Sequence, residues 1–547
     1  MVFHFWGSLR YNSAPMKRII LFSLLCICGS CLLVACARPD FVPVEIQSNP
    51  TAVLPTLAPE AGVPPVVELQ QNSGEPSADA VIVEPTVATV VLERPTPVVY
   101  GFVPTPDPPH YAIEESMLIH TVQSGDALGT IAQKYNVSLT ELLEENELDD
   151  SDFVQIGQSI RVPLTADLIT PPTKMIPDSE LVYGPSVRDF DILTFLTRYY
   201  PESTLLTYSE TVEGREISGA EIVELIAVRY SINPRLLLAM IEYRTGWLTR
   251  NNPAGVNLNY PMRYVLNGYE GLHNQLRRAA DQLNQGYYGR ADRGVTSLLI
   301  ADETRLTFDS TINNGTAAVL TWLGSHTDAT YDSWLQDTSS VGFAATYQEL
   351  FGNPFGFTYE PIVADNVVQP ELTLPWDEGI AWYYTAGPHG GWAPGSAWAA
   401  LDFAPDKDAR GCYLHEGWAI ASASGRIAYS DFGGVLLDLD GDGDMGTGWV
   451  LGYWHIDTFE RIQAGSTVAP GQRLGHPSCE GGFSNGTHLH IARRYNGQWI
   501  SANGELPFVM DGWVPRSTGR EYDGFLVKGA EVKEACVCAE ELNEIFR

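Results

Sequence analysis

The stretch that most constrains this chain of 547 residues lies near its end: Gly486-Thr487-His488-Leu489-His490-Ile491-Ala492-Arg493. Leu489 and Ile491 alternate with His488 and His490. Side chains on a strand point to opposite faces with a period of two. The pattern therefore predicts a short strand that anchors two aliphatic residues in a core and presents both imidazoles on its other face. Two histidines on one face of a rigid strand suit a zinc site, because neutral imidazole is a good zinc ligand and a general acid or base. The alternative is a polar, exposed strand face.

A chain of 547 residues is too long for one ordinary core, which predicts three or four units. With 33 Lys and Arg against 67 Asp and Glu, the formal net charge is -34. No basic surface for phosphate is visible, so nucleic acid is excluded as a partner. The eight cysteines fall into an N-terminal set, Cys26, Cys28, Cys31 and Cys36, and a distant set, Cys412, Cys479, Cys536 and Cys538. The first belongs to a targeting segment, residues 1–36: Met16-Lys17-Arg18 is a basic start and Ile19 to Ala35 is apolar. Leu33-Val34-Ala35-Cys36 resembles a bacterial lipobox. The resemblance implies that Cys36 is the lipid-modified first mature residue, that Met16 is the true start, and that the protein is extracytoplasmic and lipid-anchored to a bacterial membrane. A short membrane anchor or a non-lipidated signal are the other readings. Export permits disulfides among the downstream cysteines. Residues 37–117, rich in Pro, Val, Thr and Glu, read as a disordered acidic spacer.

Order is expected from Leu118 to Leu164 as strand, helix, helix, strand. Asp126 is placed to cap the first helix and Ser138 the second. The segments His120-Thr121-Val122-Gln123-Ser124-Gly125-Asp126 and Ile156-Gly157-Gln158 resemble the LysM module over its whole length. That resemblance implies binding of N-acetylglucosamine-containing glycan of peptidoglycan, with the sugar between the turn at Gly125, Asp126 and Ala127 and the loop near Ile156. A degenerate module that only spaces other domains is the alternative.

A Pro-containing linker, Thr170 to Asp178, leads to a largely helical unit at residues 183–360. Pro234 opens a helix there, where proline is tolerated in the first turn. The run Tyr230 to Trp247 resembles the catalytic helix of lysozyme-like lytic transglycosylases. In that family an acid stands where Arg244 stands here. A guanidinium cannot take and return a proton near neutral pH. Glu242 lies about 200° around the helix from that position. The domain is therefore expected to bind glycan or act as scaffold, with a helical spacer or a second, glycan-cleaving activity as the other readings.

After Pro361 the chain turns to Gly, Trp, Asp and short alternating apolar runs, which read as β-rich. His389 in Gly-Pro-His-Gly-Gly-Trp, Asp402 in Ala-Leu-Asp-Phe-Ala, His455 in Tyr-Trp-His, and the pair His488 and His490 follow in order. Together they resemble the lysostaphin- and LytM-like zinc endopeptidases. The resemblance implies Zn2+ held by His389, Asp402 and His490, with His455 and His488 unligated and acting on a water molecule and the scissile carbonyl. One departure is an insertion, Gly390 to Ala400, between the first two ligands; His415 is the competitor for His389. His476 reads as a loop histidine. Asp438, Asp440 and Asp442 begin like an EF-hand calcium loop, but Trp449 stands at its twelfth position. A solvated hairpin turn is the alternative to Ca2+ there. A Cys412–Cys479 bond would pin a loop beside the His-Leu-His strand. Cys536-Val537-Cys538 is too closely spaced for an easy mutual bond.

The expected fold is therefore multidomain α+β. It comprises a βααβ LysM module at 118–164, a mainly α lysozyme-like domain at 183–360, a β-rich metallopeptidase domain at 370–525 and a tail at 526–547. The expected function is a cell-wall hydrolase that cuts peptidoglycan stem-peptide cross-links. The alternative is a non-catalytic envelope protein that binds peptidoglycan and recruits or activates other hydrolases.

Overall fold

The computed structural model describes residues 117–122, 126–134, 139–148, 154–163, 168–405 and 411–547. The signal peptide, Cys36, nearly all of the spacer, and Gly125 lie outside the described residues. Among the described residues no helix is long and apolar enough to cross a membrane.

The small N-terminal module pairs Met117–Thr121 antiparallel with Ser159–Pro163, around helices Leu128–Lys134 and Leu139–Glu145. Its core is Val122, Leu128, Ile131, Ala132, Leu142, Ile160 and Val162. The Asp126 carboxylate meets His120 Nε2 at 2.8 Å. In the first helix turn, Thr130 Oγ1 accepts from the Ala127 N–H. Ile156 is 73 % exposed.

The helical unit starts earlier than expected. Thr170, expected in a linker, donates its N–H to Thr307 O, and Met175 and Ile176 join the core. A Ser218–Glu221 capping box opens helix Gly219–Tyr230. Asn233 caps Pro234–Thr245, with proline in the first turn. Long helix Leu272–Arg293 packs along Asn314–Gly324, where a Cβ on Gly286 would lie 2.7 Å from Ala318 Cα. Arg244 is turned inward: its Nη1 donates to Asp337 Oδ2 at 3.0 Å and its guanidinium lies over Trp322. Glu242 closes the turn after its helix, accepting from the N–H groups of Leu248 and Thr249 and from the Thr249 hydroxyl. Both side chains are engaged in contacts within the helical unit.

The C-terminal unit is built on an antiparallel sheet. Its order is Thr467–Val468, Gly425–Asp431, Gly434–Asp438, Trp449–Trp454, Leu489–Tyr495, Ala400–Ala404, Ala381–His389 and Glu544–Phe546. One face carries Val435, Leu437, Leu451, Tyr453, Leu489, Ile491, Leu401 and Phe403 into a buried apolar core. By the period of two, the other face carries Leu436, Val450, Trp454, Ala492, Ala400, His490 and Asp402. That second face is no exposed polar face. The helical unit covers much of it: Val228 packs with Leu436, Val450 and Trp454, and Ala400, Ala492 and Trp499 share the helical core.

Two expectations are corrected here. Residues beyond 525 are no tail. Gly524–Lys528 pairs with Val514–Ser517 and Glu531–Glu534, and Glu544–Phe546 forms the sheet edge beside the His389 strand, with Ile545 fully buried. Cys536 and Cys538 form a disulfide, as do Cys412 and Cys479. Their Cα atoms are 5.1 Å apart. The Asn543 amide donates to the carbonyls of Cys536 and Cys538.

Candidate metal centre

Register brings the site together. His490 lies opposite Asp402 on one neighbouring strand and opposite Trp454, the residue before His455, on the other. The insertion between His389 and Asp402 is a long hairpin connection, since the two residues lie on adjacent antiparallel strands. Register shifts between Tyr384 and His389 mark bulges in the His389 strand. Bulges re-aim a side chain at a sheet rim, and here His389 Nε2 comes to 3.3 Å from Asp402 Oδ1.

Each imidazole is oriented by a backbone carbonyl. His389 Nδ1 donates to Gly387 O at 2.8 Å, and His490 Nε2 donates to Gly391 O at 3.0 Å. His455 Nδ1 donates to Glu480 O at 3.1 Å, and His488 Nδ1 donates to Gly486 O at 2.7 Å. Such bonds fix which ring nitrogen carries the proton. The opposite nitrogens then offer lone pairs. His389 Nε2 and His490 Nδ1 are 3.1 Å apart, and His490 Nδ1 is 3.1 Å from Asp402 Oδ1. His488 Nε2 lies 3.6 Å from Asp402 Oδ2, and the rings of His455 and His488 are 4.5 Å apart. His455 sits in the left-handed region, φ 63°, where the chain leaves its strand. Such backbone is sparsely populated for a residue with a side chain and clusters at functional sites.

The donor set fits zinc. Ligand bonds of about 2.0–2.2 Å in a tetrahedron place ligand atoms roughly 3.3–3.6 Å apart, close to the 3.1–3.3 Å triangle of His389, Asp402 and His490. Asp402 Oδ1 is buried and accepts no well-formed hydrogen bond. Two lone pairs and a carboxylate oxygen facing one another repel unless a cation lies among them. Burial alone would raise the Asp402 carboxyl, but the neighbouring imidazoles His389 and His488, with the contacts of His389 and His490, hold it well below the usual range. Burial, then His488 and His490, keep His455 well below the usual imidazole value, so it is neutral. Burial also lowers His490. His389 goes the other way: burial opposes its charge, and Asp402 outweighs burial.

The competing positions fall elsewhere. His415 Nδ1 accepts from the Gly417 N–H. His476 lies between Gly417 O and Glu460 and packs against Trp418 and Phe459, a loop role. In the acidic turn, Asp438 accepts from the N–H groups of Asp440 and Gly443, and the Arg188 guanidinium pairs with Asp442 and Asp444. Oxygens of Asp438, Asp440 and Asp442 do gather within 4.8 Å of one another. Arg188 already supplies positive charge there, and nothing further supports calcium. Sequence reasoning missed Tyr522, whose ring stacks on His389 at 4.6 Å, and the four pinning carbonyls. A carbonyl carries no residue-type signal, although the glycines at 387, 391 and 486 were visible around the histidines.

Two family models match parts of the chain. Residues 120–163 match the LysM domain family, and residues 174–362 match the LasA N-terminal domain family. The resemblance of the helical unit to lysozyme-like enzymes finds no support in that match. The chain is 27% identical to Protease LasA of Pseudomonas aeruginosa strain UCBPP-PA14 over 345 residues, which is 60% of this chain and 75% of that protein. Over 47 residues it is 45% identical to the cell division protein DipM of Caulobacter vibrioides, covering 9% of this chain and 8% of that protein. Among solved structures, the M23 metalloprotease pseudoalterin is 22% identical, with a TM-score of 0.27, covering 33% of this chain and all of the other. The chain thus joins a LysM match to a region similar in sequence to a known protease.

Proposed function

We propose that this protein is a zinc-dependent endopeptidase that cuts peptide cross-links of peptidoglycan, held to the wall by its LysM module and to a bacterial membrane by a lipid on Cys36. One observation carries the reading: two imidazole lone pairs and a buried carboxylate oxygen stand 3.1–3.3 Å apart, each ring fixed by a carbonyl, beside two further histidines. The sequence similarity to Protease LasA supports peptide-bond cleavage. The LysM match, with Asp126, Ala127 and Ile156 at the turn and loop, supports glycan docking.

His389, Asp402 and His490 would hold the zinc. When bound, zinc polarises a carbonyl and acidifies water. His455 and His488 stand across from the ligands. Held neutral, with Nδ1 donated to Glu480 O, His455 presents Nε2 as a proton acceptor. His488, similarly donated to Gly486 O, directs Nε2 at the same space. These two residues take the proton of the attacking water, return it to the leaving amine, and donate to the developing oxyanion.

Digestion of purified peptidoglycan, with and without chelator and beside His490→Ala, tests the reading. Release of new peptide amino termini by the wild type, lost with chelator and at least 100-fold lower in His490→Ala, is expected. Cutting that chelator leaves untouched, or a zinc-loaded protein that cuts nothing, rejects it; the second outcome favours an envelope protein that recruits other hydrolases.

A further inference from the structure

The metal centre is held from outside its own domain. The loop Gly390–Ala399 carries Gly391, whose carbonyl fixes His490. The segment Ser478–Gly482 carries Glu480, whose carbonyl fixes His455. Both rest on one ion pair of the helical unit. Arg229 donates from Nη1 and Nη2 to the two carboxylate oxygens of Glu213 at 2.7 and 2.9 Å. Its guanidinium lies 4.9 Å from the centre of the Trp392 ring, next in the chain to Gly391. Trp392 packs in turn on Trp454, which precedes His455. Glu213 also accepts the Gly482 N–H at 3.2 Å, and Arg229 Nη2 reaches Phe432 O at 3.1 Å.

The contacts under these loops leave little slack. A Cβ on Gly482 would lie 2.6 Å from the Trp392 ring, and one on Gly433 would lie 2.4 Å from Glu480 O. Gly433 O in turn accepts the N–H of Ile456, beside His455. Farther along the first loop, Gly395 donates to Asp281, and Arg293 donates to the carbonyls of Gly395 and Ser396. Arg229 is buried, and burial alone would lower its guanidinium; Glu213 more than offsets that.

We infer that Glu213 and Arg229 are positioning residues for the metal centre: through Trp392 and Gly482 they fix the two loops whose carbonyls orient His490 and His455. The inference rests on the zinc reading above. A bidentate guanidinium–carboxylate pair has a set geometry, so it can hold two loops at a fixed spacing. Partners that orient ligands typically change metal affinity about 10- to 100-fold when removed.

Full-length protein carrying Glu213→Ala, and separately Arg229→Lys, is titrated with zinc against a chromophoric chelator, with thermal unfolding followed in parallel. The control is Glu180→Ala, which breaks a buried pair with Arg235 whose contacts lie within the helical unit. Expected is zinc binding weakened about tenfold in both test variants and unchanged in the control at a comparable loss of melting temperature. Should Glu213→Ala fail to fold, Arg229→Lys, which keeps the buried charge but not the fork, decides. Wild-type affinity in the folded variants overturns the inference, as does an equal loss in Glu180→Ala. A wild type that binds no zinc fails the metal reading itself, which separates the two failures.

Discussion

At the scale of residues, buried charge is spent in two ways in this protein. Asp402 stands among the imidazoles of His389, His488 and His490, which hold its carboxyl well below the usual range. Glu224, on helix Gly219–Tyr230, has no such support. Burial, with Asp191 nearby, pushes its carboxyl up to about 7, against a small opposing contribution from the Tyr183 hydroxyl. The folded state therefore binds this proton more tightly than the unfolded chain, whose carboxyl titrates near 4.5. Stability from this group is greatest below pH 4.5 and is lost as pH rises towards 7. Glu224→Gln keeps the shape and an acceptor for Tyr183 without the charge. It should stabilise the protein by on the order of 1–3 kcal/mol at pH 8 and by much less at pH 4.5. Melting temperatures of wild type and variant at both pH values check this; an equal shift at both would mean that charge burial is not the cause.

At the scale of elements, the His389 strand depends on its edge partner. Glu544–Phe546 pairs with Ala381–Tyr383, and Ile545 is buried in the apolar core beneath the sheet. Ile545→Ala should cost about 2–4 kcal/mol, as large-to-small changes in packed cores do; urea unfolding of the full chain measures it, and a loss below about 0.5 kcal/mol would mean that the edge strand is dispensable. Sequence patterns read this part of the fold unevenly, for physical reasons. The Leu489 and Ile491 alternation announced its strand, and Pro234 announced its helix, because both signals are local. Asp402 was legible from Leu401 and Phe403 for the same reason. Glu544–Phe546 was read as tail because three residues give almost no period, and its pairing is made by main chain with a strand some 160 residues earlier. A linear spacing cannot distinguish an insertion from a hairpin connection, so the sequence leaves His415 open beside His389. The carbonyls that orient the imidazoles, and the Arg229–Glu213 pair, were illegible: the first have no side-chain identity, and the second joins distant segments.

At the scale of the whole molecule, the helical and β-rich units share one interior. Trp499 is buried among helices, with Nε1 donating to Tyr230 O and its N–H to the Tyr288 hydroxyl. Arg494 is buried on the same sheet face, donates to Val228 O, and is pulled down to about 10 by burial. Ser231 donates to Gly497 O, and a Cβ on Gly497 would lie 2.2 Å from Tyr183 O. Removing the helical unit would uncover Trp454, Trp499, Phe432, Ala397, Ala399, Ala400 and Ala492 together. An apolar patch of that kind drives association in water, and hydration of Arg494 offsets only part of the loss. Residues 363–547 made alone should therefore bind a hydrophobic dye strongly and unfold at lower urea than the same unit within residues 168–547. Adding residues 168–362 as a separate chain should quench the dye signal, because the lost surface is complementary in shape and needs no covalent link. A lone C-terminal unit with no dye binding and an unchanged urea midpoint would show instead that the shared interior stabilises only the helical side.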